Sequence, residues 1–242
     1  MLQALIHKKL KNSFADPEFR PSEDALTSST IGVLQFLPDE MFWNLLRQAC
    51  CEPQYVPKDV GTIISINFWE KWTADGIVNK NFVEPDVWIE SENYHIIIEA
   101  KKYDGVGQYQ TQWKKEIMAL LSEGIAEKEI IFIALGGNAI VVDECINVDK
   151  AEFRIHKATW FNLLHAVNLQ INITDTGSQR RILQTVVNAF EQHRMVDVLW
   201  LNSMRRNTLK SIATSLPWKK GCLKTIYSPQ LKMYREWNLS KN

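Results

Sequence analysis

Apolar residues recur along this chain in two rhythms, and their alternation predicts the architecture. A helical rhythm comes first. After Pro21-Ser22-Glu23-Asp24, residues Leu26, Val33, Leu34 and Leu37 recur at helical spacing; Ser22 is placed to cap that helix and two acids fall in its first turn. Leu37-Pro38 ends the run, and Phe42, Trp43, Leu45 and Leu46 carry a second helix over residues 41–49. A strand rhythm follows. Residues 62–69 read Thr-Ile-Ile-Ser-Ile-Asn-Phe-Trp, with Ile64, Ile66 and Phe68 expected on one face. Residues 87–89 and 94–98 form a hairpin about Ser91-Glu92-Asn93, and its second arm is apolar enough to be covered on both faces. The helical rhythm returns over residues 108–122, where Tyr109, Trp113, Ile117 and Leu120 form the stripe. A buried strand over 128–135 stops at Gly136-Gly137. Residues 139–142 continue the sheet or lie beside it, and residues 153–156 are the last short strand. Thr159 and Ser178 then cap two helices, over 160–167 and 179–194. The order is helix, helix, strand, strand, strand, helix, strand, strand, helix, helix, which reads as α/β.

One stretch breaks the pattern. The strand through Ile96-Ile97-Ile98 runs straight into Glu99-Ala100-Lys101. Strand side chains alternate, so Glu99 and Lys101 share a face and Ala100 points away. Asp86 enters from the neighbouring arm of the hairpin. Two carboxylates and a lysine at a sheet edge suit a small, hard divalent cation that activates water, with Lys101 positioning that water or offsetting charge. The ordinary alternative is a surface ion pair on a hairpin.

Pro85-Asp86 and Glu99-Ala100-Lys101, in this strand context and followed by a helix bearing glutamines, resemble the PD-(D/E)XK nuclease superfamily, the restriction-endonuclease-like phosphodiesterases. The resemblance spans roughly residues 22–200. It implies an αβββαβ core, a mixed central sheet flanked by helices, and a Mg²⁺-dependent DNA endonuclease for which Mn²⁺ substitutes. Asp86 and Glu99 would hold the metal, the Ala100 carbonyl would add a ligand, and Lys101 would position water. Family members often complete the site from the first helix, where Glu23 matches best and Asp24 is the reserve. They also often place a glutamine one helix after the lysine, where Gln112 fits best and Gln108 is the alternative. Both assignments compete with plain roles, helix capping for the acids and solvent exposure for the glutamines. By analogy the setting is a bacterial defence system or mobile element. A catalytically silent binding or assembly module in a multi-protein complex is the competing reading.

Composition changes the picture in one respect. The 242 residues carry no formal net charge, yet residues after 200 hold nine basic side chains against the single acid Glu236. That tail is +8 and the first 200 residues are −8, a weak pointer to a polyanion such as DNA and an unfavourable sign for a DNA-cutting groove. A boundary is expected near Met204, giving a nuclease-like domain over 1–203 and a basic segment over 204–242. There Trp218, Tyr227, Tyr234 and Trp237 interleave with lysines and arginines. Such a segment stacks bases or straps onto the core. Residues 2–10 read as a short amphipathic helix. No apolar run approaches the roughly 20 residues that span a membrane, and the N-terminus does not read as a signal peptide. Cys50, Cys51, Cys145 and Cys222 match neither a zinc site nor a disulfide framework, so reduced thiols and a cytoplasmic setting are expected. His165 and His193 are expected on helix faces or in the core rather than as ligands. A homodimer or protein partners are compatible with the sequence; no repeat, phosphate-binding glycine motif or catalytic serine or cysteine arrangement is present.

Overall fold

The computed structural model describes residues 22–72, 82–102, 107–122, 128–175 and 177–197. All belong to one unit, Met1–Asp197. The second unit, Val198–Asn242, lies outside the described residues, as do the expected helix at 2–10 and the whole basic segment from Met204.

The fold is α/β, a mixed six-stranded sheet flanked by helices. In chain order the elements are α1 (Glu23–Leu34), α2 (Asp39–Ala49), β1 (Ile63–Phe68), β2 (Val87–Ser91), β3 (Tyr94–Ala100), α3 (Gln110–Ser122), β4 (Glu129–Leu135), β5 (Glu144–Val148), β6 (Ala151–Ala158), α4 (Trp160–Ile173) and α5 (Gly177–Gln192). Strands run β1-β2-β3-β4-β6-β5 across the sheet. The β1-β2-β3 meander is antiparallel, β3-β4 and β4-β6 are parallel, and β5 returns antiparallel on β6.

Strand alternation divides the apolar residues between two cores. Ile89, Ile96, Ile98, Ile131 and Ile133 face the layer holding α1, α2, α4 and α5. Ile97, Phe132, Ala134 and Ile155 face the other way, onto Trp113, Ile117 and Leu120 of α3. The central strand β3 is covered on both faces, as its unbroken apolar run requires. Helix α1 is buried along most of its surface by small residues. Ser29 and Thr30 satisfy their hydroxyls on the carbonyls of Ala25 and Leu26, both at 2.6 Å, so they bury without orphaned groups. Ser22 caps the helix through the Ala25 amide at 3.1 Å.

The structure settles three local readings. Ile64 is 60% exposed, because pairing with β2 slips between Ile63 and Ser65; this bulge turns Ile64 away from the face it would share with Ile66. Residues 139–142 are not a strand, and Ile140, Val141 and Val142 are exposed. The edge strand is β5, beginning at Glu144, where Ile146 and Val148 point inward. Helix α3 begins at Gln110 rather than 108, leaving Tyr109 exposed outside the buried stripe.

Candidate active site

The β2-β3 register brings Asp86 and Glu99 together. Val87 pairs with Ile98 and Trp88 with Ile97, so one step further the antiparallel ladder sets Asp86 opposite Glu99. Both carry the parity of Trp88 and Ile97, the face covered by α3. Asp86 is fixed by two donors: the Ala100 amide gives a 2.8 Å hydrogen bond to Oδ2, and the Trp69 indole a 3.0 Å bond to Oδ1. Trp69 sits in the left-handed region (φ 51°), which costs a non-glycine residue about 1–2 kcal/mol. Its amide also bonds the Asp86 carbonyl at 3.2 Å, so the pair of contacts holds the turn.

Lys101 lies on the same side as Glu99. Its Nζ pairs with Glu99 Oε1, lies 3.1 Å from the Ala100 carbonyl and 3.4 Å from Glu23 Oε1. The other Glu23 oxygen accepts the Lys102 amide at 3.0 Å, so the first turn of α1 is tied to the end of β3. Backbone contacts fix Lys101 itself: its amide bonds Leu135 at 2.8 Å and its carbonyl accepts the Trp160 indole at 2.7 Å. Gly136 and Gly137 make room for this. Both have positive φ, and a Cβ at Gly136 would stand 2.1 Å from the Lys101 carbonyl oxygen.

Helix α3 and the residues just before it supply the third side. Gln112 Nε2 donates to Glu99 Oε1 at 2.6 Å, and Gln108 Nε2 donates to the Glu99 carbonyl at 2.8 Å. Trp113 in turn donates to Gln108 Oε1 at 2.7 Å. Both glutamines therefore orient Glu99, one through its side chain and one through its backbone. The sequence reading missed Glu116, which is buried beside Glu99. Its signal was available: it lies four residues after Gln112 and directly before Ile117 of the buried stripe, so it shares the inward face.

The electrostatics are those of acids crowded out of water. Burial, with Glu99 opposite, pushes the Asp86 carboxyl well above its usual range. Glu99 is pushed up to about 8 by burial and by Glu116, against the pull of Lys101. Glu116 is likewise pushed up to about 8 by burial and by Asp86. Burial works against the Lys101 ammonium, but Glu99, Asp86 and Glu23 outweigh it and hold the group charged.

Among the described residues no three Asp, Glu, His or Cys groups already stand in one coordination shell. The Lys101 ammonium occupies the space between Glu99, Glu23 and the Ala100 carbonyl, three of the four groups expected to hold a cation. In kind the donors fit a hard divalent ion, being all oxygen with excess negative charge and an unpartnered Oε2 on buried Glu116. A cation entering here would share the carboxylates with Lys101 or displace its ammonium.

Elsewhere, Asp143 holds buried His156 at 2.8 Å, and Lys157 pairs with Glu144 at 2.7 Å. His165 bonds Asp197 at 2.9 Å, and buried His193 lies 3.4 Å from Ser29. Cys50, Cys51 and Cys145 are free, and burial pushes the Cys50 thiol far up, away from nucleophilic use. No helix among the described residues is long and apolar enough to cross a membrane. Neither a protein-family model nor a curated protein sequence matches this chain.

Proposed function

We propose that this protein is a divalent-metal-dependent phosphodiesterase that cuts DNA, built on a restriction-endonuclease-like αβββαβ core. The observation that carries the reading is the convergence on Glu99. Lys101 and Gln112 bond its side chain, and Asp86 stands opposite on the paired strand. A surface ion pair would need none of this. Here Glu99 is 2% exposed, and Lys101, Gln108, Gln112, the Ala100 amide and the Trp69 indole are all spent on holding it and Asp86 in place. The antiparallel meander followed by a helical crossover to a parallel strand is compatible with the proposed core.

Asp86 and Glu99 would hold Mg²⁺ or Mn²⁺, with the Ala100 carbonyl and Glu23 as the remaining oxygens. The ion would polarise a phosphoryl oxygen and offset charge in the transition state. Lys101, pinned by its own backbone, presents its ammonium to the same space, where it offsets phosphate charge and orients an attacking water. Gln112 fixes the rotamer of Glu99, and Gln108 fixes the strand end beneath it. Glu23 links the cluster to α1, so its favourable place in the first turn and its reach to Lys101 are not exclusive.

A second reading has one specific observation in its favour. The Lys101 ammonium already neutralises Glu99, and the first 200 residues are −8, so the same fold serves as a silent assembly module. Nicking of supercoiled plasmid with and without Mg²⁺ separates the two. The nuclease reading expects metal-dependent nicking that is lost in Asp86→Asn. A cytoplasmic setting in defence or in a mobile element is proposed with the nuclease reading.

A further inference from the structure

We propose that Glu116 is a further ligand of the divalent cation, entering from α3 opposite Asp86 and Glu99. This rests on the metal-dependent reading above and assigns a residue that the sequence motif does not contain.

Glu116 is 1% exposed, and its Oε2 has no hydrogen-bond partner in the structure. Buried carboxylate oxygens are normally hydrogen-bonded, paired with a cation or bound to metal. The helix register fixes its direction. Gln112 reaches Glu99 Oε1 at 2.6 Å, and residues four apart on a helix stand one above the other. Glu116 accordingly lies in hydrogen-bonding contact with Gln112 and Glu99 and feels the charge of Asp86.

Among the described residues, Lys101 and Lys157 reach into this face of the sheet, and both are engaged by other groups. The Lys101 ammonium rests on Glu99, Glu23 and the Ala100 carbonyl. Lys157 pairs with Glu144 at 2.7 Å and lies over the Trp113 ring at 3.8 Å. Neither meets Glu116 Oε2. Three buried carboxylates from β2, β3 and α3 thus share one adjacent ammonium. A hard divalent ion bound by oxygens supplies the missing charge and a partner for the orphaned oxygen. The alternative is a neutral carboxylic acid that only fills space beside Glu99, and it predicts that Glu116 is irrelevant to cation binding.

Calorimetric titration of the metal-stripped full chain with Mn²⁺ distinguishes them. Wild type is expected to bind, Asp86→Asn to lose binding, and Glu116→Gln to bind about tenfold or more weakly. Melting in EDTA should show Glu116→Gln folded, at the wild-type midpoint or above, because a neutral amide replaces a crowded acid. A folded Glu116→Gln with wild-type affinity overturns this proposal and leaves the Asp86–Glu99 site standing. Failure of wild type to bind Mn²⁺ overturns both. If Glu116→Gln does not fold, Glu116→Asp decides: the retracted carboxylate should weaken Mn²⁺ binding, and unchanged affinity there also overturns the proposal.

Discussion

Asp86 accepts a 2.8 Å hydrogen bond from the Ala100 amide, so the side chain that opens one strand is bolted to the backbone that ends the next. Crowding among the acids argues that removing Asp86 relieves repulsion, but its hydrogen bonds argue the other way. Asp86 also accepts the Trp69 indole, and both donors are buried. Burial and Glu99 raise its pKa, which weakens the repulsion that its removal would relieve. Asp86→Ala should therefore destabilise by about 2–4 kcal/mol, the cost of orphaning two buried donors. A urea midpoint equal to or above wild type would show that the repulsion was the larger effect. Asp86→Asn, which keeps one acceptor, should lose less.

Gln112 carries a second prediction. Its 2.6 Å bond to Glu99 is made to a buried acid, and α3 has no other amide on that oxygen. Gln112→Ala should cost about 1–3 kcal/mol in stability and about 10- to 100-fold in Mn²⁺ affinity. Gln112→Glu should be worse for stability, since it adds another acid to the cluster. Denaturant curves and Mn²⁺ titration of both variants measure this. Wild-type Mn²⁺ affinity in Gln112→Ala would remove Gln112 from any orienting role.

The raised carboxyls set a pH dependence for the metal-free protein. Glu99 and Glu116 titrate near 8 in the fold, against 4.5 for an ordinary glutamate. Between those values the folded state binds more protons than the unfolded state, so stability falls as pH rises through the window. His193 opposes this at the acid end. Burial, with Lys102 nearby, lowers it to about 4 from 6.5, so it favours folding as pH rises from 4 to 6.5. Above 6.5 the carboxyls act without that opposition. The melting temperature in EDTA should fall between pH 6.5 and 8.5, and saturating Mn²⁺ should flatten or reverse the trend. A metal-free protein that gains stability over that range would mean that the acids are not crowded as described.

The basic tail is proposed to supply DNA attraction that the acidic body lacks. If about five of its cations reach phosphates, log affinity should fall with log salt at a slope of about −4 to −5. Changing Lys219, Lys220 and Lys224 together to Glu should make the slope shallower without shifting the melting temperature. An unchanged slope in a folded variant would make the segment a strap or a protein-docking surface instead.

The helices and central strands were legible because their apolar spacing is long and regular. The pairing of Glu99 with Lys101 followed from alternation alone, and the proline-acid element located Asp86. What stayed hidden depended on tertiary partners. The bulge that exposes Ile64 is a property of the β1-β2 pairing, invisible in one strand's pattern. Strand β5 holds only two inward apolar residues, Ile146 and Val148, and it is a strand because β6 offers an edge. Glu116 reads as one more charge on a helix until the helix is laid against Glu99. The two hydrogen bonds from Gln108 and Gln112 to Glu99 were likewise concealed, because the sequence offered them as alternatives and the fold uses both.

The central claim is that Asp86, Glu99 and Lys101 form a working metal-dependent phosphodiesterase site. Single-turnover nicking of supercoiled plasmid in excess protein tests it most directly, run for wild type, Asp86→Asn and Lys101→Ala in Mg²⁺, in Mn²⁺ and in EDTA. The account predicts nicking by wild type in either metal, none in EDTA, and a loss of at least about 100-fold in both folded variants. Wild type that leaves the plasmid intact in both metals, or variants that nick it at the wild-type rate, would contradict the claim.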